Sequence, residues 1–240
     1  MRKREELYKG KAKTVFATDD PNLLVMHYRD DVSAFDGVKL AKLDLKGETN
    51  NKINAYVMEK LEAAGVRTHF VRLLNERESL VKAMKMVPVE CVVRNICAGS
   101  MAKRYGIAEG TRLPAPIFEF FLKSDALHDP LVNDDHIRVL GWATPMEIAE
   151  MKDLTHRCNA VLKPLFAAAG IDLVDYKLEF GHPSDDPNGP LVLGDEFTPD
   201  GCRLWDAKTG EKLDKDRFRR DLGSVIERYR EVAKRIGAPL

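Results

Sequence analysis

Leu173–Gly181 (LVDYKLEFG) and Leu191–Gly201 (LVLGDEFTPDG) decide the fold of this chain. Each is a run of aliphatic, β-branched and aromatic residues closed by glycine or proline, the pattern of a strand. The polar turn His182–Pro190 lies between them, so a hairpin is predicted. In the first strand, Asp175, Lys177 and Glu179 alternate with Val174, Tyr176, Leu178 and Phe180. Strand side chains alternate between faces, which puts the apolar set on a buried face and an acid–base–acid row on the other. Same-face neighbours lie roughly 6.5–7 Å apart, so one extended ligand can touch all three. Asp195, on the partner strand, adds a carboxylate near Glu179, and such a pair is a hard-oxygen site suited to Mg²⁺. The same alternation also describes a solvated sheet face with cross-strand salt bridges. The pattern by itself leaves both open.

Working outward, Leu7–Phe16 and Leu23–Tyr28 read as strands joined by the turn Asp19–Asn22. Residues 30–37 have too few apolar side chains for a core segment and read as a loop. A helix is predicted over Thr49–Ala64, with Gly65 as its stop. Thr68–Leu74 and Met84–Val93 read as strands, and Glu76–Ala83 is ambiguous. Later helices are predicted at Ser100–Tyr105, Pro145–Ala169 and Lys215–Ile236. The second of these has Thr144 as N-cap, Pro145 at N1 and Glu147 at N3, a capping box. Strand runs mixed with separate helices, without a βαβ rhythm, point to an α+β fold with antiparallel sheets.

The chain has 240 residues, enough for one large or two small domains. Lys plus Arg equals Asp plus Glu, 38 each, so the total charge makes no case for a nucleic-acid or membrane partner. The four cysteines form no CxxC pair and no zinc-finger spacing, as expected of free thiols in a reducing compartment. No apolar run approaches the roughly 20 residues of a membrane span. A cytoplasmic protein is expected.

Several further segments hold chemistry-bearing residues. Tyr8–Thr14 (YKGKAKT) puts Lys9, Lys11 and Lys13 on one face of a predicted strand, with Gly10 and Ala12 allowing close approach of a nucleotide phosphate. It is neither a Walker loop nor a kinase glycine loop, and an exposed lysine-rich edge strand would look alike. Val92–Ser100 (VVRNICAGS) places Arg94 and Ser100 at a strand end and a helix start, a plausible anion site. Lys123–Pro130 is a loop dense in titratable groups, and Arg203 and Arg219 are too far apart for spacing to link them. No serine, cysteine or histidine triad signature is present, which disfavours a covalent protein nucleophile. Lysines and arginines for phosphates, with carboxylates for magnesium, fit phosphoryl transfer.

The two opening segments resemble the paired signatures of the phosphoribosylaminoimidazole-succinocarboxamide (SAICAR) synthetase family. So do Tyr8–Lys13 (YKGKAK), Pro88–Asn95 (PVECVVRN), Ala98–Ser100 (AGS) and His128–Pro130 (HDP). The resemblance runs in order from about Leu7 to Gly237. It implies an ATP-dependent ligase of purine biosynthesis that joins L-aspartate to a carboxyaminoimidazole ribonucleotide, releasing ADP and phosphate. The implied fold is an N-terminal antiparallel β domain resembling a kinase small lobe (1–86) and a larger α+β domain (87–240), with ATP in the cleft between them.

Residue by residue, the resemblance assigns Lys11, Ala12, Lys13, Val15, Lys82, Met84 and Lys123 to ATP, and Glu179 and Asp195 to Mg²⁺. It assigns Arg94, Ser100, Asp129, Asp175, Lys177, Arg203 and Arg219 to the ribonucleotide, with Ser33 and Asp36 as candidates for L-aspartate. Lys177, Lys11 and Asp175 are the expected catalytic groups, and a homodimer is expected. A kinase is the rival enzyme, but the chain has no HRD or DFG signature. A nucleotide sensor without turnover would explain the basic strand but not the paired carboxylates and the second anion site.

Overall fold

The computed structural model describes residues 2–35 and 37–240. In chain order the elements begin with β1 (Lys3–Lys9), β2 (Lys13–Thr18), β3 (Leu23–Tyr28), β4 (Asp31–Ala34), β5 (Lys39–Lys42) and helix α1 (Lys46–Ala63). They continue with β6 (Phe70–Asn75), β7 (Glu78–Lys82), β8 (Met84–Ile96), α2 (Gly99–Tyr105), β9 (Arg112–Leu122), β10 (Leu131–Val132) and α3 (Asp134–Val139). The last third holds α4 (Pro145–Ala168), β11 (Ile171–Pro183), β12 (Val192–Gly194), β13 (Cys202–Asp206), α5 (Asp216–Arg219) and α6 (Val225–Ile236).

One sheet has the order β1-β2-β3-β7-β6; a second runs β10-β9-β8-β11-β12, with β13 also on β11; β4 and β5 form a separate hairpin. The strand pairings are antiparallel throughout. This is the α+β architecture expected. β11 is the centre of the second sheet: β8 lies on one side, and β12 and β13 share the other. Its face carrying Leu173, Tyr176, Leu178 and Phe180 packs with Met151, Leu154, Cys158, Leu162 and Phe166 of α4 and with Ile53, Val57, Met58 and Leu61 of α1. Each such side chain, fully buried, contributes about 1.5–3 kcal/mol. α4 starts as expected: the Thr144 hydroxyl accepts from the Glu147 N–H (3.2 Å), and the Glu147 carboxylate accepts from the Thr144 N–H (2.6 Å).

The structure corrects four local readings. The basic segment is not one strand from Leu7 to Phe16: the chain reverses at Gly10–Ala12 between β1 and β2, which pair with each other. Residues 31–34 are not a loop outside the core. They form β4, and Val32, Ser33 and Ala34 are buried, with Val32 and Ala34 packed on Phe218, Val225 and Tyr229. The final helix is broken, because Asp221, Gly223 and Ser224 adopt positive φ between α5 and α6. Val174 does not share the face of Tyr176. A register shift between Leu173 and Asp175 turns it towards Ile96, Ala98 and Trp205. β9 and β13, unread in the sequence, flank β8 and β11.

A buried ion pair ties these layers together. Lys46, at the start of α1, is 1% exposed and bonds Asp200 at 2.5 Å. Asp200 also accepts from Asn50 (2.9 Å) and from the Tyr229 hydroxyl of α6 (2.8 Å). Burial opposes ionisation of Asp200, but the Lys46 and Lys215 charges outweigh it and bring its pKa down to about 2. Removing one partner of such a pair leaves an uncompensated buried charge, so Lys46→Met is expected to cost about 3–5 kcal/mol by urea denaturation at neutral pH. The depressed carboxyl contributes about 2–3 kcal/mol above its unfolded pKa of about 3.9, lost as pH falls towards 2. The gap between wild type and Lys46→Met therefore narrows below about pH 4. A pH-independent gap contradicts this account.

Candidate active site

The acid–base–acid row of β11 is not a solvated face: Asp175 is 3% and Glu179 is 2% exposed. Register explains what holds it. Asp175 lies opposite Arg94 of β8 on one side and Arg203 of β13 on the other. Its Oδ2 accepts from Arg94 Nη1 and from Arg203 Nη1, each at 2.8 Å. Arg94 also donates through Nε to Glu119 of β9 (2.7 Å) and through Nη2 to Ser100 Oγ (3.2 Å). Arg203 and Arg219, unlinked by spacing, meet on Asp216: Arg203 Nε donates to Oδ2 (2.9 Å) and Arg219 Nη1 to Oδ1 (2.6 Å). Gly99 lets the Arg203 guanidinium in, because a Cβ at this positive-φ position would collide with it. The result is a wall of three arginines and a hydroxyl suited to an anion, with every arginine oriented by a carboxylate.

Further along the row, Lys177 bonds Glu90 of β8, which lies opposite Glu179, and is 3.6 Å from Glu179 Oε1. Lys123 bonds Glu179. Lys13 bonds Asp195 and lies 2.9 Å from Glu196, and Lys11 pairs with Asp125 at 2.8 Å. Burial raises the Glu179 pKa, and the nearby Asp195 charge adds to the effect. Burial also works against Asp195, but the Lys13, Lys123 and Lys177 ammonium groups overcome it and hold that carboxyl well below the usual range. Burial would lower Lys13, yet Asp195 and Glu196 raise it well above an ordinary lysine.

Among the described residues no three His, Cys, Asp or Glu side chains gather as a ready metal cage. The donors fit a magnesium ion nonetheless. Glu179 Oε1 is buried and accepts no hydrogen bond among the described residues, beside a second carboxylate. Mg²⁺ bound by one or two carboxylates completes its shell with substrate phosphates and water.

Two cavities open on this row. The first, about 350 Å³, is lined by Ser33, Arg94, Ser100, Asp129, Asp175, Lys177, Arg203 and Arg219, all assigned from sequence to the ribonucleotide or to aspartate. The second, about 370 Å³, is lined by Lys11, Ala12, Lys13, Val15, Lys82, Met84, Lys123, Glu179 and Asp195, all assigned to ATP or its metal. Asp36 lies outside the described residues. The cavities share Lys11, Glu90, Asp129, Lys177, Asp200, Gly201 and Lys215.

Sequence reasoning missed the apolar floor of the second cavity (Leu24, Met26, Val81, Met86) and the orienting carboxylates Glu90, Glu119 and Asp216. Glu90 stands in the quoted run PVECVVRN, two residues from Val92, and its alternation with Val89 and Cys91 was the available signal. Glu119 and Asp216 had none. Nor does a cysteine supply a nucleophile: Cys202, which lines the first cavity, has its thiol pushed far up by burial and donates to the Thr198 carbonyl.

A lysine-lined cleft against an arginine-lined pocket, with no activated nucleophile among the described residues, fits a nucleotide-dependent group-transfer enzyme. The profile of the SAICAR synthetase family matches residues 6–236. Phosphoribosylaminoimidazole-succinocarboxamide synthase of Hahella chejuensis is 62% identical over 99% of each chain, and that of Nitrosococcus oceani is 60% identical over 100% of this chain and 99% of its own. The crystal structure of the Ehrlichia chaffeensis synthase superposes with a TM-score of 0.96 at 47% identity, covering 98% of this chain and 100% of that one. A SAICAR synthetase solved in complex with ADP superposes at 0.93 with 44% identity, over 98% of each chain. The chain belongs to the SAICAR synthetase family and is an ATP-dependent ligase of purine biosynthesis.

If the arginine wall binds a phosphate monoester, ribose 5-phosphate should bind the protein without ATP. Arg219→Met, whose side chain is part exposed and outside the Asp175 clamp, should weaken that binding about tenfold or more by titration calorimetry. Equal affinity for wild type and variant contradicts the assignment.

Proposed function

We propose that the enzyme joins L-aspartate to the carboxylate of a carboxyaminoimidazole ribonucleotide through an acyl phosphate, with the residues of the two cavities in distinct roles. The observation that supports this best is the placement of Lys177 on the shared wall, between the arginine cluster and the Glu179–Asp195 pair. Arg94, Ser100, Arg203 and Arg219 hold the ribonucleotide phosphate end, with Asp175 orienting two of the arginines. Asp129, on a positive-φ turn, faces the same cavity. Lys11, Lys13 and Lys123 hold the ATP phosphates, while Val15, Lys82 and Met84 lie along the adenine side. The lysines beside an apolar floor favour the second cavity for the nucleotide. Residues 1–86 and 87–240 form the two sides of the cleft.

The substrate carboxylate attacks the γ-phosphate and ADP leaves. The aspartate amine then attacks the acyl carbon, and phosphate leaves with the oxygen it gained. Lys177 and Lys11 offset the charge that develops on the transferring group. Glu179 and Asp195 would hold Mg²⁺, which would neutralise part of the charge on the ATP phosphates. ATP creates the leaving group, so a protein nucleophile is not required. The enzyme works as a cytoplasmic homodimer on this reading. Val38 and Leu40 on the β4–β5 hairpin, 87% and 69% exposed, favour self-association.

ADP release should require ATP, L-aspartate and the ribonucleotide together. Chelation of divalent metal should abolish it, and Glu179→Ala should lower turnover about 100-fold or more, as loss of a charge-stabilising group does. Near-normal turnover of Glu179→Ala at ordinary Mg²⁺ contradicts the metal role. ADP release without aspartate contradicts the ligase reading.

A further inference from the structure

Three lysines line both cavities: Lys11, Lys177 and Lys215. Lys11 is paired with Asp125 and Lys177 with Glu90. Lys215 differs, because among the described residues its ammonium has no carboxylate within salt-bridge distance. Its backbone is fixed at the start of α5, where its N–H donates to the Pro199 carbonyl (3.1 Å) and its carbonyl accepts from the Arg219 N–H (3.0 Å). The charges that face it are Asp200, Arg219, Lys46 and Glu196. Asp200, first among them, is engaged on both oxygens, by Lys46 and Asn50 on one and by Tyr229 on the other. Glu196 is engaged with Lys13. Burial lowers the Lys215 pKa, and the Asp200 and Glu196 charges offset it only in part.

A fixed, poorly compensated ammonium in a cleft is a site for a ligand anion. The anions of the reaction are the ATP phosphates, the ribonucleotide phosphate and carboxylate, and the two carboxylates of the amino-acid acceptor. The first three already have the lysines of the second cavity, the arginine wall and Lys177. The acceptor must meet the activated carboxylate where the cavities join, and Lys215 stands there with Ser33 on the same cavity wall. We propose that Lys215 binds a carboxylate of L-aspartate at this junction and so directs the amine at the acyl carbon. The proposal rests on the ligase reading above and assigns the acceptor subsite within it.

The test is steady-state kinetics of Lys215→Met and Lys215→Arg, with each substrate varied at saturation of the other two. Loss of one charge-assisted bond predicts a KM for L-aspartate raised about 10- to 100-fold in Lys215→Met. KM for ATP and for the ribonucleotide should stay within about threefold, and Lys215→Arg should recover most of the loss. Succinate, which has both carboxylates but no amine, should lose inhibition against aspartate in parallel. An unchanged aspartate KM, or an equal rise for ATP or the ribonucleotide, overturns the assignment. So does failure of Lys215→Met to fold by circular dichroism, because the side chain is part exposed and has no structural partner. Wild-type ADP release that ignores aspartate overturns the ligase reading itself; aspartate-dependent wild type with unmoved variants overturns the Lys215 assignment alone.

Discussion

Asp175 between Arg94 and Arg203 is the constraint on which the rest of the molecule depends. One carboxylate oxygen accepts from guanidinium groups on strands at either side, at a position that is 3% exposed. Burying those charges costs several kcal/mol per ion, which is recovered only if each is met by partners in good geometry. Glu119, Ser100 and Asp216 supply the remaining partners, and they come from β9, α2 and α5. Five elements are thereby fixed relative to β11 by polar contacts. On the opposite face, α4 and α1 fix them by apolar packing. A slip of one residue in the β8–β11 register would move Arg94 off Asp175 and turn Tyr176 and Leu178 out of the core together.

The same strand divides the electrostatics of the cleft. Towards residue 175 arginines predominate, planar donors matched to a phosphate group. Towards residue 179 lysines meet buried carboxylates, with Asp195 kept ionised and Glu179 pushed the other way. Lys177 stands between the two regimes. On the proposed reading, the strand alternation brings the nucleotide and acceptor ends of the reaction within one side-chain spacing. The enzyme then needs only positioning and charge neutralisation, which is the economy of phosphoryl transfer.

The hairpin, the capping box of α4 and the polar row of β11 were legible because their signals are local: period two, an N-cap with its partner three residues on, and signatures contiguous in the chain. The β4–β5 hairpin was not, because Val32 and Ala34 owe their burial to Phe218 and Tyr229 from the far end of the sequence. The break after α5 was hidden by the apolar spacing of Phe218, Leu222 and Val225, which suits a helix until Asp221, Gly223 and Ser224 turn to positive φ. Val174 was placed on the wrong face because a bulge leaves no mark in an alternating pattern. The orienting carboxylates Glu119 and Asp216 were silent for a related reason: each acquires its meaning from an arginine that the fold brings to it.

The central claim is that the two cavities are halves of one reaction, joined at Lys177. The most direct measurement is isotope transfer during a single turnover with ribonucleotide carrying ¹⁸O in its carboxylate. Attack of that carboxylate on the γ-phosphate predicts one ¹⁸O in each phosphate released. Phosphate released without label, with the ligated product formed, would contradict the account.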